Sequence, residues 1–221
     1  MGDCEFLKTL SFWDKLSKEE KDYILNNCFF KKYEKGTIIS RSGEECLGMF
    51  IIKSGQIRIY MISEEGREIT LFRLNPGDIC VFSASCLLES ITFEVIIEIA
   101  EKMEAYLIPS SVLNNIVKKN PYVELFLAKT ANKRFSDVMW TMQQILFMSV
   151  DKRIAVFLCN EYKKQNKSTI IYTHDEIARL IGTAREVVTR VLKYFVAENI
   201  IKLSRGKIEI TNIEKLESFC D

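Results

Sequence analysis

Apolar and polar positions change their period once along this 221-residue chain, and the change divides it. Between roughly 30 and 108, short β-rich runs at 37–39, 49–52, 56–61, 68–72, 92–97 and 104–108 alternate with turn signals. The interruptions are Glu34-Lys35-Gly36, Ser42-Gly43, Lys53-Ser54-Gly55, Glu64-Glu65-Gly66 and Asn75-Pro76-Gly77. Short strands separated by turns about every 8–12 residues predict an antiparallel sandwich or barrel. The first 30 residues predict short helices instead, with Ser17 and Glu20 spaced as a capping box.

After Pro121 the apolar positions recur every three or four residues. Ala128, Ala131, Phe135, Val138, Met142 and Ile145 form a heptad seam on a predicted helix of about 25 residues. Such a seam needs a partner surface, and self-association along it gives a twofold dimer. The plainer alternative is that the stripe packs on the β-rich part. A second helix is expected over about 151–165, opened by Asp151 as cap or first-turn acid. The expected organisation is a sensor domain with N-terminal helices over 1–120, a dimerisation helix over 121–147 and a DNA-binding domain over 148–221.

Residues 173–198 read THDEIARLIGTAREVVTRVLKYFVAE. Thr173 and Glu176 are spaced as a capping box, and Gly182 permits a left-handed turn after Ile181. The segment is therefore helix, glycine turn, helix. At about 100° per residue, Val188, Val191, Leu192 and Phe195 fall on one face of the second helix. Arg185, Glu186, Thr189 and Arg190 fall roughly opposite. Arg can fork onto guanine O6/N7, Glu can accept from cytosine N4, and Thr can reach a base edge or a thymine methyl. The bland alternative is a solvated amphipathic helix on which Glu186 and Arg190 form an ion pair one turn apart. Next come two short alternating strands around Arg205-Gly206, a predicted hairpin presenting Lys202, Arg205 and Lys207 to a phosphate backbone. Thr173, His174 and Thr183 are further candidates for backbone contact.

These residues resemble the DNA-binding domain of the Crp/Fnr family, whose reading helix has the pattern R-E-x-[VI]-x-R-x-L, met here by Arg185, Glu186, Val188, Arg190 and Leu192. The resemblance spans the chain. It includes Lys53-Ser54-Gly55-Gln56-Ile57-Arg58, Leu74-Asn75-Pro76-Gly77-Asp78 and Asp151-Lys152-Arg153-Ile154-Ala155. It implies an α+β protein: an N-terminal antiparallel β-roll (a double-stranded β-helix, jelly-roll-like), a long dimerisation helix and a C-terminal winged helix-turn-helix. It also implies a homodimeric transcription regulator in which Arg185, Glu186 and Arg190 read a palindromic site with TGTGA- or TTGA-like half-sites. RNA polymerase is the implied further partner.

The roll departs from the cyclic-nucleotide-binding pattern of that family. Where such members resemble G-E-[LI]…R-[ST]-A, this chain has no Arg or Lys between 79 and 101. A buried phosphate without a cation costs several kcal/mol, which argues against a cyclic nucleotide. Only Cys4 lies near the start and His174 is the single histidine, so an iron–sulfur cluster or haem finds little support. No metal-ligand spacing is present either. Two readings of the roll stay open: a thiol switch between Cys80 and Cys86, or a pocket for an apolar metabolite lined by Phe82, Cys86 and Phe93.

Composition changes this picture little. Residues 1–120 hold 15 Lys/Arg against 18 Asp/Glu, and 121–221 hold 16 against 12, so a polyanion is expected at the C-terminal part. Seven scattered cysteines without a CxxC pair, no long apolar run and no basic-then-apolar start suggest a cytoplasmic protein. No nucleophile–base pair or glycine-rich phosphate loop points to an enzyme. A cyclic-nucleotide-type signalling subunit without DNA binding is the rival from another class.

Overall fold

The structure is a computed structural model and describes residues 4–40, 47–81 and 95–220. Two compact units are present. The first comprises Met1–Met61 and Leu71–Val138, the second Ile62–Thr70 and Met139–Asp221.

The first unit opens with two 3₁₀ turns, Cys4–Thr9 and Trp13–Lys15, and helix α1 (Lys18–Asn27). The expected capping box forms: the Glu20 amide donates to Ser17 Oγ at 3.2 Å and the Ser17 amide to Glu20 Oε2 at 2.7 Å. Strands β1 (Phe29–Tyr33), β2 (Ile38–Ser40), β3 (Gly48–Ile62), β4 (Glu68–Leu74), β5 (Ile79–Cys80) and β6 (Ile96–Pro109) follow, with the last residue of β3 and the first three of β4 assigned to the second unit. They form one antiparallel sheet in the order β1-β6-β3-β4, with β2 also on β6 and β5 on β3.

The structure departs from the sequence pattern at several places here, among them the described part of the 92–97 run and the 104–108 run, which the single strand β6 joins. Lys53-Ser54-Gly55 does not separate two strands but lies within β3, whose pairing with β6 shifts register there. Gly55 has φ +82°, and a Cβ on it would overlap the Lys102 carbonyl, so the bulge needs glycine while the ladder continues past it. Strand β1 carries no alternation signal: Phe29-Phe30-Lys31-Lys32 does not alternate, and four of its five residues are exposed. Helix α2 (Ser110–Val117), which buries Val112, Leu113 and Ile116, also lies outside the expected elements.

Helix α3 (Pro121–Phe147) is the long helix, and its residues are shared between the two units. It stops before Ser149, the N-cap of α4 (Val150–Gln165). Beyond lie β7 (Thr169–Ile170), α5 (His174–Ile181), α6 (Arg185–Ala197), β8 (Ile201–Ser204), β9 (Lys207–Ile210) and α7 (Ile213–Glu217). Strand β7 adds to the expected hairpin, giving the order β7-β9-β8. Ile154, Leu158, Ile177, Val188, Leu192, Phe195 and Ile208 fill one core beneath it. No helix among the described residues is long and apolar enough to cross a membrane.

Candidate nucleic-acid interface

The site is assembled by local rules. Thr173 caps α5: the Glu176 amide donates to its Oγ1 at 3.1 Å, and the Thr173 amide donates to Glu176 Oε2 at 2.8 Å. Because the Thr173 hydroxyl also donates to that carboxylate at 2.9 Å, it is engaged in the cap rather than free for a phosphate. Gly182 ends α5 at φ +68°, ψ +51°, a left-handed cap that a Cβ would strain. Ala184 then opens α6.

Helix α6 divides its faces as its spacing predicts. Val188, Leu192 and Phe195 are fully buried, while Arg185, Glu186 and Arg190 are exposed. Among the described residues Glu186 and Arg190 make no ion pair with each other, so both stand available to a partner. Thr189 differs. Its hydroxyl donates to the Arg185 carbonyl at 3.0 Å, which uses its only hydrogen. The His174 Nδ1 contact at 2.9 Å must therefore be a donation from the ring. Thr189 is half-buried and keeps its methyl and one acceptor lone pair for a base. Burial, then the charges of Arg185 and Lys193, lower the His174 pKa, which favours a neutral ring over a cationic phosphate contact.

In the wing, Ile201 on β8 and Ile208 and Ile210 on β9 point into the core, leaving Lys202 and Lys207 exposed. Ser204 pairs with Lys207 across the turn, where Arg205 is exposed and Gly206 has φ +69°.

The turn between α5 and α6 has supports that sequence reading missed. The last carbonyls of a helix lack intrahelical partners and gather negative potential. Here Arg153 Nη1 donates to the Ile181 carbonyl at 2.8 Å, Thr70 Oγ1 to the Arg179 carbonyl at 3.0 Å, and Arg67 to the Gly182 carbonyl. Arg67 and Thr70 belong to the 62–70 segment of this unit. Burial and the neighbouring Arg67 charge lower the Arg153 pKa.

On α3, the expected seam is only partly exposed. Ala128, Phe135 and Met142 face outward, whereas Ala131, Val138 and Ile145 are half-buried and Val138 packs on the first core. Met139 and Leu146, 46% and 66% exposed, continue the outward stripe instead. In the sheet, Cys80 is buried on β5 opposite Phe50. Cys4 has no described side chain, and Phe82, Cys86 and Phe93 lie outside the described residues. Among the described residues no group of three or more His, Cys, Asp or Glu is placed to hold a metal ion.

Known proteins match this arrangement across its length. A Crp-like helix-turn-helix domain model matches residues 152–219, and a cyclic nucleotide-binding domain model matches 30–120. A solved Crp/Fnr-family chain from Eubacterium rectale, described as a transcriptional regulator, is 41% identical. It superposes with a TM-score of 0.91, covering 96% of this chain and 99% of its own. The chain belongs to the Crp/Fnr family. Among curated Crp/Fnr relatives, the cyclic AMP receptor protein of Thermus thermophilus is 25% identical over 91% of this chain and 93% of its own length. The regulatory protein HlyX of Actinobacillus pleuropneumoniae is 26% identical over 84% of this chain and 79% of its own. The α+β architecture, an antiparallel N-terminal sheet followed by helices and a C-terminal helix-turn-helix, is that of the family.

Proposed function

We propose that this chain is a dimeric, sequence-specific transcription regulator that acts by binding DNA, not by catalysis. Arg185, Glu186 and Arg190 read bases in the major groove, Thr189 offers its methyl to a thymine, and Lys202, Arg205 and Lys207 hold the phosphates. The observation that carries this reading is the divided α6 helix: Val188, Leu192 and Phe195 are wholly buried, and a charged face stands exposed at its N-terminal half. The Crp-like helix-turn-helix match over the same residues supports it.

Dimerisation is proposed along α3, through Ala128, Phe135, Met139, Met142 and Leu146. What supports it is an apolar stripe at heptad spacing, with Phe135 and Leu146 each 66% exposed. A twofold dimer presents two reading helices to half-sites about 34–36 Å apart, one turn of the duplex. A signal sensed in the first unit would act by changing the separation of the two α3 helices and so of the reading helices. RNA polymerase is the further partner in this scheme, and the cytoplasm its setting.

The signal is proposed to be other than a cyclic nucleotide, although that domain model matches 30–120. Residues 79–101 contain no cation. The buried cations of the first unit among the described residues already face carboxylates: Arg58 with Glu98 at 3.2 Å, and Arg134 with Asp78 at 3.2 Å and Asp137 at 2.9 Å. A phosphate would have to displace one of them.

Selection of bound duplexes from a random pool, with and without reductant and with and without cyclic AMP, tests the whole scheme. The expected product is a palindrome with G/C-containing half-sites about one helical turn apart, unaffected by cyclic AMP. Enrichment of nothing at low salt under every condition would refute DNA reading. A monomer by light scattering at micromolar concentration would refute the dimer.

A further inference from the structure

The second unit brings together two cysteines that are 61 positions apart in sequence. Cys159 on α4 and Cys220 just beyond α7 have Sγ atoms 3.6 Å apart. Disulfide sulfurs lie about 2.05 Å apart, so the pair is already at van der Waals contact and must close by roughly 1.5 Å. Cys159 is buried and Cys220 half-buried, and both line an open cleft of about 520 Å³ beside Asn160, Lys163 and Ser218. Burial, with the hydrogen-bonded Cys220 sulfur next in weight, pushes the Cys159 thiol up to about 12. Cys159 therefore stays protonated, and the more exposed Cys220 is the sulfur that meets an oxidant first.

We propose that Cys159 and Cys220 are a reversible disulfide pair, closed by a hydroperoxide, that fastens α7 and the segment after it onto α4. The Cys220 thiol gives up its proton and its sulfur attacks the outer oxygen of the hydroperoxide; a sulfur–oxygen bond forms, the oxygen–oxygen bond breaks, and the departing alkoxide takes that proton and leaves as an alcohol. The Cys159 sulfur then attacks the Cys220 sulfenic acid. A sulfur–sulfur bond forms, and the hydroxyl leaves as water with the Cys159 proton. Two thiols and one hydroperoxide give one disulfide, one alcohol and one water.

The tail so fastened supports the reading helix from behind. Lys215 Nζ donates to the Glu198 carbonyl at 2.9 Å and to its carboxylate at 2.8 Å, where α6 ends. The Phe219 ring lies edge-on to Phe195, centroids 5.2 Å apart. Oxidation thus tightens the seat of α6 and leaves Arg185 and Arg190 untouched.

The test needs no DNA, so its outcome is independent of the reading of α6. Reduced full-length protein is treated with one equivalent of cumene hydroperoxide, its free thiols are alkylated, and its peptides are mapped without reduction. The expected result is a Cys159–Cys220 linked peptide that dithiothreitol removes and that forms roughly ten-fold or more faster in native protein than in concentrated urea. A thermal midpoint higher by about 5 °C or more should accompany it. Cys220→Ser, or Cys159→Ala should the first fold poorly, should abolish both changes. Two results overturn the proposal. One is Cys159 remaining alkylatable while Cys220 is oxidised; the other is a linked peptide that forms no faster in native protein than in urea.

Discussion

In the first unit the buried guanidiniums of Arg58 and Arg134 sit against Glu98, Asp78 and Asp137, whereas on α6 those of Arg185 and Arg190 face water. Both units place arginines in built surroundings, but the first pairs their charge with carboxylates, whereas among the described residues Arg185 and Arg190 on α6 have no carboxylate partner. A cation already neutralised by the fold contributes to stability; one held out on a rigid, well-anchored helix is available to a partner. The DNA-binding role is accordingly readable from α6.

Substitutions on the two kinds of site should separate these roles. The largest effect is expected from the anchoring face. Phe195→Ala removes a fully buried ring and should lower stability by about 3–5 kcal/mol in urea denaturation, taking DNA binding down with it. Next, Arg134→Met should cost about 1–3 kcal/mol of stability by leaving Asp78 and Asp137 uncompensated, a value discounted because both carboxylates are partly exposed. If instead it left stability unchanged and altered the DNA-binding response, the paired cations of the first unit would be signalling groups.

Arg190→Ala should leave the melting curve alone, cost about 1–3 kcal/mol of affinity for the selected site and relax one base pair. An equal loss on random DNA would assign it to phosphate. Arg205→Ala should weaken both duplexes alike and reduce the salt slope by about one. The smallest effect concerns His174, whose pKa in the fold lies below its ordinary 6.5. The unfolded chain then takes up the proton first. Stability is complete above pH 6.5 and declines as pH falls from there to the lowered pKa, below which the loss is complete. Thermal midpoints between pH 7.5 and 5 should show this in the native sequence and less of it in His174→Gln.

Legibility in the sequence followed the range of the interaction. Both capping boxes, the Gly182 turn and the two faces of α6 depend on residues a few positions apart, and all are present. The wing hairpin was readable from alternation, but its third strand was not, because β7 is two residues long and pairs with residues far along the chain, Thr169 with Glu209 and Ile170 with Ile208. The outward stripe of α3 slid from Val138 to Met139 because heptad spacing alone does not say which neighbouring row the core will take. The 62–70 segment under the Gly182 turn and the Cys159–Cys220 pair bridge more than 60 positions, and no local pattern announces either.

The His174–Thr189 hydrogen bond has a bearing on how operators diverge. With its hydrogen committed to the Arg185 carbonyl and one lone pair receiving the imidazole, Thr189 keeps a methyl and a single acceptor lone pair to show a base. A change at position 174, on the preceding helix, would free a second acceptor lone pair without altering any side chain of the reading face. Promoter preference could in this way be respelled by a residue that never touches a nucleotide.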